Sequence, residues 1–307
     1  MSSKEYPVRE IRFIGLLANV DSSILKLNFQ NNFKIESMEY KEAIDFFSNL
    51  FGLPDFEMSS ILDRYACLSE PNTIYFVSNN FYNQYMSTDK SHSTIPQFEN
   101  GLIREYLMPL IRLMRLFKDG NVMIPYNIYY FMDGQVPKLM VDWGKVLPSK
   151  KHVFTLNDDE VRNLKDFLQI TKLPFNKPFL QLAFENFELS FETFHQPNIE
   201  FLLLMISLEV LFNPSDHQEL SYRISRSVAV LLGQNESDSQ KIYSSIRNLY
   251  DKRSNLVHNG ISVITDTDIT NLRHFVRESI KIIYKSGKDR ENIMNVLNSS
   301  GFGSKPF

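Results

Sequence analysis

The chain has 307 residues, 43% hydrophobic and 22% charged, with 33 Lys and Arg against 36 Asp and Glu, and its net charge is −3. That is the balance of a globular protein long enough for two domains or one large one, and nothing in the whole-chain charge demands a nucleic-acid partner. Cys67 is the only cysteine, which excludes an internal disulfide and a cysteine metal cluster and favours a reducing compartment. The charged start, Met1 to Glu10, lacks the apolar run of a signal peptide. The longest apolar stretch, Phe201–Phe212, is interrupted by Glu209 and far too short to span a bilayer, so a cytoplasmic protein without membrane contact is expected.

In chain order, the first half reads as α+β. Val8–Leu17 and Ile24–Met38 are rich in β-branched and aromatic residues, and Asn31-Asn32 suggests a hairpin turn between Leu25–Phe29 and Phe33–Glu36. Tyr40–Phe51 carries Ala43, Ile44, Phe47, Leu50 and Phe51 at helical spacing, closed by Gly52. Thr73–Val77 reads as a short strand and the polar run from Ser78 to Ser93 as loop. A long helix is expected from Pro96 to about Lys118, with Leu102, Ile103, Leu107, Leu110, Ile111, Met114 and Leu116 on its apolar side and Asp119-Gly120 at its end. Val122–Phe131 and Leu139–Val141, joined across Asp133-Gly134, form a hairpin, and Asn157 with Glu160 caps a helix to about Ile170. No nucleotide loop, metal-ligand spacing or nucleophile elbow occurs in this half.

Lys172 to Pro178 holds two prolines within five residues, which breaks both regular structures and divides the chain into an α+β domain, 1–171, and a helical one, 172–307. Beyond it Phe184, Phe187, Phe191 and Phe194 share one face of a helix starting at Pro178. Ile199–Phe212, Gln218–Leu232, Ser237–His258 and Asp266–Ser286 follow, with a short helix at Glu291–Asn298. So many one-sided apolar faces are buried most simply in an all-α bundle.

The stretch that carries chemistry is Tyr250-Asp-Lys-Arg-Ser-Asn-Leu-Val-His-Asn-Gly260, at the end of the helix that Ser237 and Gln240 open as a capping box and Gly260 closes. Ile242, Ile246, Leu249, Leu256 and Val257 fall on one stripe, with Arg253 in its middle. A guanidinium there must meet a carboxylate, a partner subunit or an anion. His258 lies roughly 140° round the same helix and about 7–8 Å further along it, so one helix does not readily aim both at one atom, whereas two copies facing each other could. Charge gathers here too: Pro178–Gln240 holds two basic and nine acidic residues, Lys241–Arg290 ten basic and five acidic ones.

Arg253 and His258, separated by Ser254-Asn255-Leu256-Val257, resemble the arginine, four to six residues, histidine signature of the HEPN superfamily of helical RNA-binding and RNA-cleaving domains. Phe201–Phe212, Glu219–Arg226 and Tyr250–Gly260, taken as an ordered set, are similar to the Apea-like HEPN branch over about Pro178–Tyr284. Many members carry Asn, Asp or His directly after the arginine; this chain has Ser254 there and Asn255 next. The resemblance implies an all-α HEPN-like bundle acting as a homodimer on RNA. It implies cleavage without metal or cofactor, with His258 as general acid or base and Arg253 neutralising the phosphorane, and a role such as a toxin in stress or antiviral defence.

Each residue also has a plainer reading. Arg253 fits a buried ion pair with Glu209, and His258 a helix C-terminal histidine favoured by the macrodipole. Ser254 and Asn255, four and three positions before His258, could orient its ring or touch substrate. Tyr250 and Asp251 read as structural. Arg273, Arg277, Lys281 and Lys285 form a row four apart that is either a phosphate-backbone stripe or a solvated face. Gly301-Phe-Gly303 reads as tail, and His92, His152, His195, His217 and His274 lack ligand spacing. The module could equally bind RNA or dimerise without cutting.

Overall fold

A computed structural model describes residues 8–65, 70, 72–84, 101–133, 135–143, 152–193, 195–212, 219–260 and 263–307. The chain divides into two compact units, Met1–Thr171 and Lys172–Phe307, the division falling at the proline-containing segment. Cys67, the helix start at 96–100, the end of the polar run at 85–93, His92, Gly134, Phe194, His217 and Gln218 lie outside the described residues.

The first unit is α+β, built on a five-stranded antiparallel sheet of order β2-β3-β1-β4-β5. The strands are β1 (Val8–Ala18), β2 (Lys34–Glu39), β3 (Thr73–Gln84), β4 (Met123–Asp133) and β5 (Val136–Trp143). Helices α1 (Tyr40–Phe51) and α2 (Asp55–Tyr65) supply Ala43, Phe47, Met58 and Leu62 to a core with Ile14, Leu16, Ile74, Phe76, Tyr126 and Ile128 from one face of the sheet. On the opposite face Phe13 packs against Phe33, Phe81 and Tyr129, and Phe33 stacks on Tyr106 with ring centres 5.7 Å apart. Tyr106 belongs to a π turn, Ile103–Leu107, that runs into α3 (Met108–Phe117); α4 (Asp158–Ile170) closes the unit.

The hairpin across Asp133, the Gly52 stop with φ 65° and the Asn157–Glu160 capping box are as expected from sequence. Three expectations need correction. Residues from Ser22 to Lys26 form a 3₁₀ turn capped by Asp21, whose carboxylate accepts from Ser23 N, so no hairpin precedes Lys34. Asn31 and Asn32 do take left-handed φ of 57° and 64°, but the turn leads into β2, which pairs with β3 and not with Leu25–Phe29. The polar run Ser78–Asn83 is strand: β3 pairs with β1 from Leu17↔Tyr75 to Val8↔Gln84, and that ladder overrides weak β propensity. Helix α2 has no counterpart among the expected elements, although Met58, Leu62 and Tyr65 recur at helical spacing and are its buried residues.

The second unit is all helical: α5 (Pro178–Ser190), α6 (Pro197–Phe212), α7 (Leu220–Leu232), α8 (Glu236–Asn259), α9 (Asp266–Ser286) and α10 (Arg290–Ser299). Phe184, Phe187, Phe201, Leu204, Leu208, Ile224, Val228, Ile246, Leu272, Val276 and Ile280 form its buried interior. Burying five such side chains alone stabilises by roughly 10 kcal/mol before entropy is counted. Helix α6 is apolar all round, so it keeps Ile199 and Ile206 on its outward side, 42% and 40% exposed. The Gly301–Gly303 segment is packed, not loose: Gly303 N donates to Ser239 Oγ at 3.0 Å, and Phe302 lies against Tyr243.

Candidate active site

Helix α8 opens one residue earlier than Ser237, at Glu236. Asn235 is the N-cap, its side chain accepting from Asp238 N, and Ser237 with Gln240 is no capping box. Gly260 ends the helix with φ 66°, the left-handed conformation that favours glycine. Ile246 and Leu249 point into the bundle, Ile242 and Leu256 are half-buried, and Val257 is 50% exposed. The stripe therefore turns gradually from core to surface as it nears the motif.

Arg253 sits at that transition and meets Glu209 of α6, with Nε 3.4 Å from Oε1 and the two side chains 28% and 18% exposed. Tyr250, one turn earlier, donates its hydroxyl to the same Oε1 at 2.7 Å. Burial raises the Tyr250 phenol well above its usual range and the bond to Glu209 raises it further, so it stays a donor at any physiological pH. The carboxylate foreseen for Arg253 is thus the one that meets it. Arg253 makes no hydrogen bond among the described residues, and an ion pair this open to water is worth about 1 kcal/mol or less. The guanidinium is steered rather than clamped.

His258, Ser254 and Asn255 are all exposed. Asn255 accepts from Asn259 Nδ2 at 3.4 Å and is not engaged with His258. The structure therefore brings Arg253, Glu209 and Tyr250 together and leaves His258 and Ser254 on the surface of the same helix. Beside them Lys252 grips both oxygens of Asp268 at 2.8 and 2.7 Å, tying α8 to the start of α9. Burial alone would raise the Asp268 carboxyl, but Lys252 and the Thr265 donors outweigh it and hold it below the usual carboxylate range.

Arg273 and Arg277 are not substrate contacts. Each is 3% exposed. Arg273 forms a buried ion pair with Glu200 of α6 and lies 4.5 Å from the ring centre of Phe191; Arg277 lies 5.7 Å from that of Phe187. The row of four cations is neither a phosphate stripe nor a solvated face along its length, because α9 turns its first two arginines into the bundle and only Lys281 and Lys285 reach solvent. Arg226 of α7 is likewise occupied, donating to the carbonyls of Leu297 and Ser300 at 2.8 and 2.7 Å.

Among the described residues no group of three or more His, Cys, Asp or Glu is placed to hold a metal ion, and no helix is long and apolar enough to cross a membrane. No family model, curated protein or solved structure matches the chain.

Proposed function

We propose that the helical unit is an RNA-cleaving domain of HEPN type. What supports the reading is the meeting of Glu209, Tyr250 and Arg253: two of the three segments that carry the resemblance converge on the arginine of the motif. Arg253 is approached through Nε, so its terminal nitrogens, which fork toward a phosphate best, are not held by a hydrogen bond among the described residues.

In this reading the ribose 2′-OH beside the scissile phosphate attacks phosphorus. His258 takes the hydroxyl proton or supplies one to the departing 5′-oxygen, and Arg253 neutralises charge on the phosphorane. The products are a 2′,3′-cyclic phosphate and a 5′-OH end.

Two copies would act together. The Arg253 guanidinium by itself gives no reason for pairing, because Glu209 meets it. Support now comes from the outward side of α6, where Ile199 and Ile206 are exposed beside half-buried Leu202, Leu203 and Val210. A second reading, a module that binds RNA or dimerises without cutting, is favoured by the same Arg253–Glu209 pair, since an arginine already partnered need not serve catalysis.

Cleavage of labelled single-stranded RNA, with chelator present, separates them. Wild type should cut, His258→Ala should lose about 10²-fold or more, and Arg253→Lys should lose nearly as much as Arg253→Ala, because a point ammonium cannot reproduce bidentate contact. RNA bound but left whole by wild type would establish the second reading, and a near-wild-type Arg253→Lys would refute the role given to the guanidinium.

A further inference from the structure

The α+β unit contains a cleft of about 530 Å³ that the ribonuclease reading does not use. It lies on the α1 face of the sheet, where β1, β2, β3 and β4 run past the helix, and that volume suits a small organic ligand. The strand register builds it. Lys34 of β2 stands opposite Ser78 of β3, and in the next row Asn80 of β3, Arg12 of β1 and Tyr130 of β4 stand side by side on the same face.

Its chemistry is lopsided. The Phe46 and Met38 side chains form an apolar wall, half-buried and open on the cleft side. Lys34 and Arg12 bring two cations, of which Arg12 also lies 3.9 Å from Glu10, and the one carboxylate that lines the cleft, Glu36, accepts from Ser78 Oγ. Lys34 is exposed and makes no ion pair among the described residues. Tyr130 supplies a second, independent pointer: it is 7% exposed, yet its hydroxyl has no hydrogen-bond partner among the described residues and is not sealed from solvent. A tyrosine buried to that degree ordinarily satisfies its hydroxyl inside the protein.

We propose that this cleft binds a small organic anion bearing one flat apolar ring, the ring against Phe46 and Met38, the anionic group at Lys34, and a ring or sugar heteroatom accepting from Tyr130. A nucleoside monophosphate and an aromatic carboxylate share that chemistry. RNA is disfavoured as occupant because the cleft carries a net charge of only about one and a single open aromatic wall, short of the basic, aromatic-rich track that strands require.

The test is calorimetric titration of the full chain with four probes: AMP, nicotinate, adenosine and inorganic phosphate. At least one of the two ring-bearing anions should bind saturably with Kd below about 1 mM, which identifies the source, while adenosine and phosphate bind about tenfold more weakly or not at all. Lys34→Ala should weaken the binding about tenfold and Tyr130→Phe about fivefold, with the thermal midpoint of each free variant unchanged. Absence of saturable binding by both ring-bearing anions, or binding indifferent to both substitutions, overturns the proposal. So does single-stranded RNA binding that Lys34→Ala weakens and AMP cannot compete away.

Discussion

Replacing Glu200 by glutamine should be among the most damaging single changes in the helical unit. Arg273 cannot shed its proton, its side chain is 4% exposed and that of Glu200 is 7% exposed, so the variant leaves a charge sealed away from water. Breaking a buried pair by removing one partner costs about 3–5 kcal/mol, a large fraction of the roughly 5–15 kcal/mol that holds a domain of this size. At about 3 °C per kcal/mol the melting midpoint should fall by roughly 10 °C. Circular dichroism at 222 nm during heating of the full chain measures it. The control is the double variant Glu200→Leu, Arg273→Met, which removes both charges and should return to within about 1 kcal/mol of wild type, because the desolvation penalty leaves with the pair. The loss should also be insensitive to salt, unlike that of a surface pair. A Glu200→Gln loss below about 1 kcal/mol, or a double variant no better than the single one, would refute the buried-pair account and return Arg273 to the surface.

Asp268→Asn tests the Lys252 and Thr265 contacts. Because the folded carboxyl lies below its unfolded value, its stabilisation is present above about pH 4, where the unfolded group ionises, and is lost as pH falls through the lowered folded value. Wild type should therefore exceed the variant near neutrality and converge with it in acid; a gap that widens below pH 4 would show the sign to be wrong. Gly120→Ala should cost roughly 3 kcal/mol or more, since φ is 144° and a Cβ would stand 2.7 Å from Phe154 Cα, whereas Gly52→Ala, at φ 65° with nothing within 4 Å, should cost only about 1 kcal/mol; equal urea midpoints for the two would contradict this. On the ribonuclease reading, the isolated heterodimer of an Arg253→Ala chain with a His258→Ala chain should recover about half the wild-type cleavage if each site draws its arginine and histidine from different protomers; activity no greater than that of either parent would remove sites shared between chains.

Local signals read well where the chemistry is local. Gly52, the Asn157–Glu160 pair, the Asp133 turn and the prolines before and at the start of α5 act within a few residues, and the elements they bound stand where the sequence puts them. The failures are tertiary. Ser78–Asn83 has the composition of a loop and becomes strand because β1 offers a ten-residue ladder from Val8 to Leu17. The cleft follows from the same fact: a strand whose exposed end carries Ser78 and Asn80 lies where α1 no longer covers the sheet, and no periodicity announces that. The burial of Arg273 and Arg277 is not legible in sequence, because a row of cations four apart defines a face of α9 without saying what lies against it. The missing information sits in Glu200, over seventy residues upstream on a helix apolar all round. Glu209 was legible as a partner for Arg253 because it was the one carboxylate inside an apolar run.

That pairing governs how the motif can act. Glu209 Oε1 receives both the Tyr250 hydroxyl and the Arg253 Nε approach, and the Tyr250 contact, at 2.7 Å, is the shorter. The phenol cannot ionise near neutrality, so it takes a fixed share of that oxygen whatever the pH. The ion pair is correspondingly weak, and a phosphate need not expel Glu209 to reach the guanidinium: it can add at the terminal nitrogens while Nε stays against the carboxylate. A carboxylate in that position limits the charge that Arg253 offers to an unreacted phosphodiester, with its single negative charge. Both the pull of Arg253 and the opposing push of Glu209 grow as the extra charge of the phosphorane develops with attack of the 2′-oxygen, so the net attraction rises in proportion to that charge. On the ribonuclease reading Arg253 therefore favours the phosphorane over the phosphodiester only by the difference in their charges, and Glu209 tempers its hold on both, so the pair weakens the grip on unreacted RNA without removing the preference for the transition state.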